Sequence, residues 1–172
     1  KIKYTHLSAT GGVGYSKKID ANLVRLGIGF YGITNDSSLH LKPVLEMRSI
    51  ITGIKEIQPG EKIGYGFAYE AKQKMKIATV PVGYFEGVDR RLLNKGHFKI
   101  GQNFCPILGR VSMNISTIDV SAVSDVKFGD PVTIISNNPA DINSVQNIAS
   151  ACGTVHYDIL VHLPQHLRRT LV

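Results

Sequence analysis

The 172 residues, 43% of them hydrophobic, suffice for one domain or for a small domain plus part of another. Twenty Lys and Arg against thirteen Asp and Glu give a net charge of +7, which favours anionic partners such as nucleic acid, anionic lipid or a phosphate-bearing cofactor. The basic residues are scattered, adjacent only in pairs such as Lys17-Lys18, Arg90-Arg91 and Arg168-Arg169, which argues against a dedicated nucleic-acid face; neither a membrane-spanning apolar run nor a signal-peptide pattern occurs.

The sequence opens on Lys1, in mid-element, and is expected to come from inside a longer polypeptide. Lys1 to His6 reads as a short strand. The glycine-rich Ser8 to Tyr15 reads as a loop that matches neither the dinucleotide fingerprint nor the P-loop. Asn22 to Ile33 is a buried-strand type of run with one charge, Arg25, inside it. A charge there either forms a structural ion pair or is aimed into a pocket, since leaving it unpaired costs several kcal/mol. Asn35 to His40 is a polar connector, placing a boundary near residue 35: residues 1–35 form one part and 36–172 the other.

Beyond it come short β segments separated by turns. Val44 to Ile57 alternates as one long strand, and Pro59-Gly60 turns it. Gly64 and Gly66 flank Tyr65. That glycine-flanked tyrosine is either a hairpin corner with an aromatic plug or a hydroxyl offered to a site with little crowding it. Lys74 to Val82 is a second strand. His97 to Ile100 and Phe104 to Leu108 flank Gly101-Gln102-Asn103 as a hairpin, and Ser112 to Val120 and Pro131 to Ser136 are two more strands. Asp141 to Ala151 is predicted helical, capped by Asp141, with Ile142, Val145, Ile148 and Ala149 as its apolar stripe and Gly153 as its stop. Asp158 to Leu163 reads as a turn of helix or a short strand. The pattern predicts a mainly β chain, a small barrel or sandwich.

Spacing alone yields no catalytic constellation. His162 and His166 lie four apart, but Pro164 between them argues against a helix face presenting both to a metal, and no metal site is expected. Cys105 and Cys152 are far apart and fit no metal spacing, which agrees with a reducing, cytoplasmic setting. The residues alone support a β-rich domain with an anion-favouring pocket containing Tyr and Arg.

Several motifs in order carry a resemblance: Val24-Arg25-Leu26-Gly27-Ile28-Gly29-Phe30-Tyr31-Gly32, Lys42-Pro43-Val44, Gly64-Tyr65-Gly66, Pro81-Val82-Gly83-Tyr84-Phe85-Glu86-Gly87, Gly109-Arg110-Val111-Ser112-Met113-Asn114, Gly129-Asp130 and His156-Tyr157-Asp158. Along nearly the whole chain this series resembles the carboxy-terminal half of the alanine racemases, which use pyridoxal 5'-phosphate in fold type III. The resemblance implies the last strands of a truncated (β/α)8 barrel in residues 1–35, followed by a small, Greek-key-like β-barrel domain in residues 36–172. It also implies a head-to-tail homodimer, alanine as the small-molecule substrate, and a role in supplying D-alanine to peptidoglycan.

The resemblance further implies roles residue by residue. Tyr65 is similar to the catalytic tyrosine supplied from the partner subunit. Racemisation removes an α-proton from one face and returns it on the other, so it needs two positioned acid–base groups, each contributing roughly 10²–10⁴-fold. The second is the lysine that holds the cofactor, in the family's amino-terminal half; no lysine of this chain sits in a matching motif, so the chain by itself is expected to be inactive. Arg25 resembles the arginine facing the cofactor's ring nitrogen, with His6 as its orienting neighbour. Thr10, Gly27, Ile28 and Tyr157 fall where the family binds the cofactor phosphate. Met113 matches the residue whose backbone amide meets the substrate carboxylate, and Arg110, Tyr157 and Tyr84 match residues near the substrate entry. Two departures stand out: Asn114 where the family has Asp, and Phe85-Glu86 where it has Ala-Asp. A serine-preferring racemase, a degenerate racemase half kept for interaction, and a non-catalytic basic β-barrel binding module remain as alternatives.

Overall fold

The computed structural model describes every residue except Lys1, Ile19, Ser37 and Val172, and omits the side chains of Ser16 and Lys17. Lys1 of the expected first strand thus lies outside the described residues, and so does the side chain of Lys17 of the first basic pair. The chain divides into two compact units, Lys1–Leu45 and Glu46–Val172.

In the first unit no regular strand forms among the described residues. The two stretches expected as barrel strands instead run side by side and parallel. Asn22 and Leu23 donate backbone N–H to the Thr5 carbonyl (3.1 and 3.2 Å), and Arg25 donates to that of Ser8 (2.9 Å). Asn22 interrupts a regular ladder, because its side chain accepts from Thr5 N–H and donates to the Lys3 carbonyl (3.0 Å each). A 3-10 helix, Thr10–Lys18, replaces the expected loop, and a second one, Ile28–Tyr31, replaces the end of the expected strand. Gly27, Gly29 and Gly32 explain that break. Gly32 sits at φ 74° with its α-carbon against the Lys42 carbonyl, where a β-carbon has no room.

The second unit is mainly β and antiparallel. Its strands are β1 Met47–Ile50, β2 Gly53–Ile57, β3 Lys62–Ile63, β4 Tyr69–Glu70, β5 Met75–Val80, β6 His97–Ile100, β7 Asn103–Pro106, β8 Ser116–Asp119 and β9 Pro131–Ile135. They form a four-stranded sheet in the order β1-β9-β6-β7, a three-stranded sheet β2-β5-β8 and the pair β3-β4. The long strand expected over residues 44–57 is two strands. At Ile51-Thr52 the chain leaves one sheet for the other, with Ile51 N–H bonded to Asp130 and Thr52 N–H to Thr79. The alternating pattern does not reveal this corner, because residues on both sides of it still alternate in and out. An isolated Ile107–Ile118 bridge joins β7 to β8, so the strands run round a ring β1-β9-β6-β7-β8-β5-β2, a small barrel.

Ile51, Val80, Phe98, Ile107, Ile118, Val120 and Val132 fill the interior, all essentially inaccessible. A smaller cluster of Ile57, Ile63, Ala71, Met75 and Leu108 packs around the pair β3-β4. The cysteines are free, and burial pushes the thiols of Cys105 and Cys152 each up to about 11.

Two helices close the unit, α1 Val145–Cys152 and α2 His156–Val161. The helix starts later than the sequence predicts. Its cap is Ser144, whose hydroxyl accepts from Asn147 N–H (3.3 Å), and Ile142 lies outside it, exposed. Asp141 is occupied elsewhere: its carboxylate takes Lys99 Nζ and Ser136 Oγ (2.7 Å each) and Asn138 Nδ2 (3.1 Å). The Lys99 hydrogen bond, seconded by that of Ser136, holds Asp141 below the usual carboxylate range. A carboxylate depressed in the folded state contributes stability that is present above its unfolded value and lost as pH falls through its folded value. The melting temperature of wild type is therefore expected to fall more than that of Asp141→Asn as pH drops below about 4. Parallel acid titrations of the two would sink this assignment.

Candidate functional site

Tyr65 begins a 3-10 turn, Tyr65–Phe67, between β3 and β4. Gly64 (φ 75°) and Gly66 (φ 67°) both take left-handed backbone, as the flanking glycines require. The ring plugs nothing: Tyr65 is 73% exposed, which removes the aromatic-plug reading and leaves the presented hydroxyl. The turn rests on the segment that carries Arg110. A β-carbon on Gly109 would lie 3.0 Å from the Ile63 carbonyl, and one on Gly64 would lie 3.3 Å from Arg110 N. Arg110 Nε passes 3.7 Å from the side-chain position of Gly66.

Asn94 ties these pieces together. Its Oδ1 accepts from Gly109 N–H (3.0 Å), and its Nδ2 donates to the Ala68 carbonyl (3.4 Å). It does so from φ 53°, a conformation that Asn tolerates better than most residues. Sequence reasoning missed Asn94; the one local signal was its place in the Leu-Asn-Lys-Gly turn.

The same segment meets a second tyrosine turn further along. The 3-10 turn Tyr84–Glu86 ends at Gly87 (φ 95°). Tyr84 N–H donates to the Ser112 carbonyl (3.0 Å) and Phe85 N–H to that of Met113 (2.9 Å). Residues 109–114 are thus a common spine. One end sets Tyr65 and Arg110 together, and the other sets Tyr84 and Met113 together. The Arg90 guanidinium lies 5.6 Å from the Tyr84 ring centroid, and Phe85 stacks on His166 at 4.8 Å.

Beside Tyr84 opens a cleft of about 480 Å³, lined also by Arg90, Arg91, Asp158 and His162. Arg91 bridges Asp89 (2.5 Å) and Asp158 (2.7 Å). Hydrogen bonds from Arg91 are the main cause holding both carboxyls below their ordinary range. Tyr157, half-exposed at the start of α2, precedes Asp158 in the chain. His162 Nδ1 lies 2.6 Å from the Asp158 carbonyl, and among the described residues no group of three or more His, Cys, Asp or Glu gathers as metal ligands.

In the first unit Thr10 is 3% exposed and its Oγ1 accepts from Gly27 N–H (3.3 Å) and Gly29 N–H (3.2 Å). A β-carbon on Gly29 would come 2.9 Å from Thr10 Cγ2. Thr10 Oγ1 therefore gathers the amides of Gly27 and Gly29, on either side of Ile28, at the start of a 3-10 turn. Arg25 is exposed, not buried in a strand; Nη2 donates to the Leu7 carbonyl (3.3 Å), and that carbonyl rather than His6 holds it.

Among the described residues no helix is long and apolar enough to cross a membrane. The family model "Alanine racemase, C-terminal domain" matches residues 44–171. The alanine racemase of Halothermothrix orenii is 36% identical over 172 residues, covering 98% of this chain and 45% of that protein. The solved alanine racemase of Clostridium difficile 630 in complex with cycloserine superposes with a TM-score of 0.88 at 29% identity, over 97% of this chain and 45% of that one. The fold is matched also by the alanine racemase of Bartonella henselae with covalently bound pyridoxal phosphate (TM-score 0.90, 24% identity, 100% of this chain and 48% of that one). The chain spans a little under half the length of the relatives it matches. With a family model over most of its length and motifs in the same order, the chain belongs to the alanine racemases.

Proposed function

We propose that this chain is the carboxy-terminal part of an alanine racemase that interconverts L- and D-alanine with pyridoxal 5'-phosphate. The observation that carries this reading is the spine 109–114, which holds a fully presented Tyr65 beside Arg110 and the Met113 backbone beside Tyr84. In this reading the enzyme is a cytoplasmic homodimer supplying D-alanine for peptidoglycan.

The residues of the first unit fit the cofactor. The Thr10 hydroxyl, buried where a β-carbon on Gly29 would crowd it, would hold the phosphate with the backbone of Gly27 and Ile28. Arg25 would donate to the ring nitrogen, and a guanidinium, which offers only donors, would favour that nitrogen as an acceptor. When bound, the cofactor supplies the electron sink for the carbanion left by proton removal. Tyr65 Oη holds or moves the proton on one face of the α-carbon. The glycine turn fixes that oxygen without side chains crowding it, and a positioned acid–base group contributes about 10²–10⁴-fold. Met113 N–H orients the substrate carboxylate, and Arg110 and Tyr84 line its entry. The second acid–base group, a lysine, lies on a segment outside these residues.

The test is a pyridoxal-phosphate titration with borohydride trapping, of this chain alone and after adding a separately made barrel half of the same enzyme. No trapped lysine in this chain, with racemase activity appearing on complementation, is the expected result. A specific lysine adduct in this chain would place the catalytic lysine here and overturn the two-part assignment; no activity with any complement would overturn the racemase reading.

A further inference from the structure

We propose that Glu86 and Asn114 form a positioning pair that sets the Met113 backbone amide and the Tyr84 ring, and thereby determines how well the enzyme holds its substrate carboxylate. The proposal rests on the racemase reading for what Met113 binds, but its geometry stands on this unit alone.

Glu86 spends its two carboxylate oxygens on two different pieces of chain. Oε2 accepts from Gly83 N–H (2.7 Å), which closes the tyrosine turn on itself. Oε1 accepts from Asn114 Nδ2 (2.7 Å), which reaches across to the neighbouring segment. Between these two bonds lie the backbone pairs Tyr84–Ser112 and Phe85–Met113. A further tie anchors the base of the assembly: Ser116 Oγ, buried, donates to the Val82 carbonyl (2.7 Å). Ser112 N–H also bonds back to Ile115 (3.0 Å), so residues 112–115 form a tight turn whose middle is Met113-Asn114. Met113 is itself half-exposed, with little packing to hold it. Its amide direction is therefore set by hydrogen bonds, and the Asn114 side chain is the one that links this turn to the tyrosine turn through a charged acceptor.

In this chain, where Glu86 is one methylene longer than the Asp of the family pattern and reaches Asn114, the pairing has a chemical requirement: one partner must offer a donor and the other an acceptor. Two carboxylates at this separation repel and cannot both be ionised without moving apart. Asn114→Asp removes the donor while keeping shape and length. Adding Glu86→Gln restores the match with its direction reversed, because the new amide keeps an acceptor for Gly83 N–H and offers its own N–H across the gap. A role in folding alone does not predict such a rescue in KM.

The variants are made in the full-length polypeptide that carries this chain, and KM and kcat for L- and D-alanine are measured. Asn114→Asp is expected to raise KM about ten-fold with kcat within about three-fold, and the Glu86→Gln/Asn114→Asp double variant to return KM to within about three-fold of wild type. Amide hydrogen exchange at Gly83 and Phe85 is expected to quicken in the single variant and slow again in the double, read without reference to activity. An unchanged KM in the single variant, or a raised KM that the second substitution leaves in place, overturns the proposal. Wild-type protein that exchanges as described but does not racemise alanine overturns the functional reading and with it the role at Met113, while the pairing stands.

Discussion

Tyr65→Phe in the full-length polypeptide is expected to lower racemisation by about 10²–10⁴-fold, nearly all of it in kcat. The substitution removes one oxygen from a ring that is 73% exposed, so it leaves the fold almost untouched; surface changes of this kind usually cost within about 0.5 kcal/mol. The turn is set by Gly64, Gly66 and the Asn94 bridge, none of which involves the hydroxyl. The loss thus reads the proton-handling role proposed for Tyr65 and not the placement of the loop. A second readout sharpens it. With one acid–base group gone and the other intact, solvent deuterium should still enter the α-carbon of one enantiomer while interconversion stops. Racemisation that survives unchanged in both directions would remove Tyr65 from the mechanism.

The fold and the site were legible to different depths, and the reasons are local. The β6-β7 hairpin was readable because its turn residues and its two short apolar runs agree, and it appears with Ile100 opposite Asn103. The corner at Ile51-Thr52 was not, because periodicity reports which face a side chain takes and says nothing of which sheet receives the strand. The helix start moved from Asp141 to Ser144 because Lys99, 42 residues away in sequence, claims the Asp141 carboxylate; a local capping rule has no access to that partner. In the first unit the apolar run 22–33 looked like a buried barrel strand, yet Leu26 and Phe30 are exposed. Strand patterns describe a chain with neighbours on both sides, and here residues 22–25 pair with residues 5–8 while Tyr31 accepts a single bond from Val44 N–H. At the site, the two glycines around Tyr65 announced an unusual backbone. The pairing of Glu86 with Asn114 and the bridging by Asn94 were silent, since each joins segments far apart in sequence and neither carries a composition signal.

Gly83→Ala is expected to be the most damaging single-methyl change near the site, and it tests whether close backbone approach or backbone angle governs these glycines. Gly83 has φ −144°, which any residue adopts, so strain predicts almost no cost. Space predicts the opposite. A β-carbon there would fall inside the contact radii of the Ser112 and Met113 carbonyl oxygens, the same oxygens that accept from Tyr84 and Phe85 N–H. Neither oxygen is the end of a flexible side chain, so the tyrosine turn must lift off the spine and break both bonds. Overpacking of about 1–3 kcal/mol plus the weakened hydrogen bonds gives a loss of about 3 kcal/mol, or a fall in Tm of roughly 10 °C for a unit of this size. Gly60 is the control. It sits at φ 86° with nothing within 4 Å of a β-carbon, so Gly60→Ala meets the angle penalty alone, about 1 kcal/mol. The order matters more than either value: Gly83→Ala should melt well below Gly60→Ala. On the proposed role of Met113 in holding the substrate, the same displacement should also raise KM in the full-length polypeptide, because Met113 moves with the carbonyl that is pushed. Equal melting temperatures would mean that the two segments are less tightly apposed than the spine requires, and that residues 109–114 do not set both tyrosines.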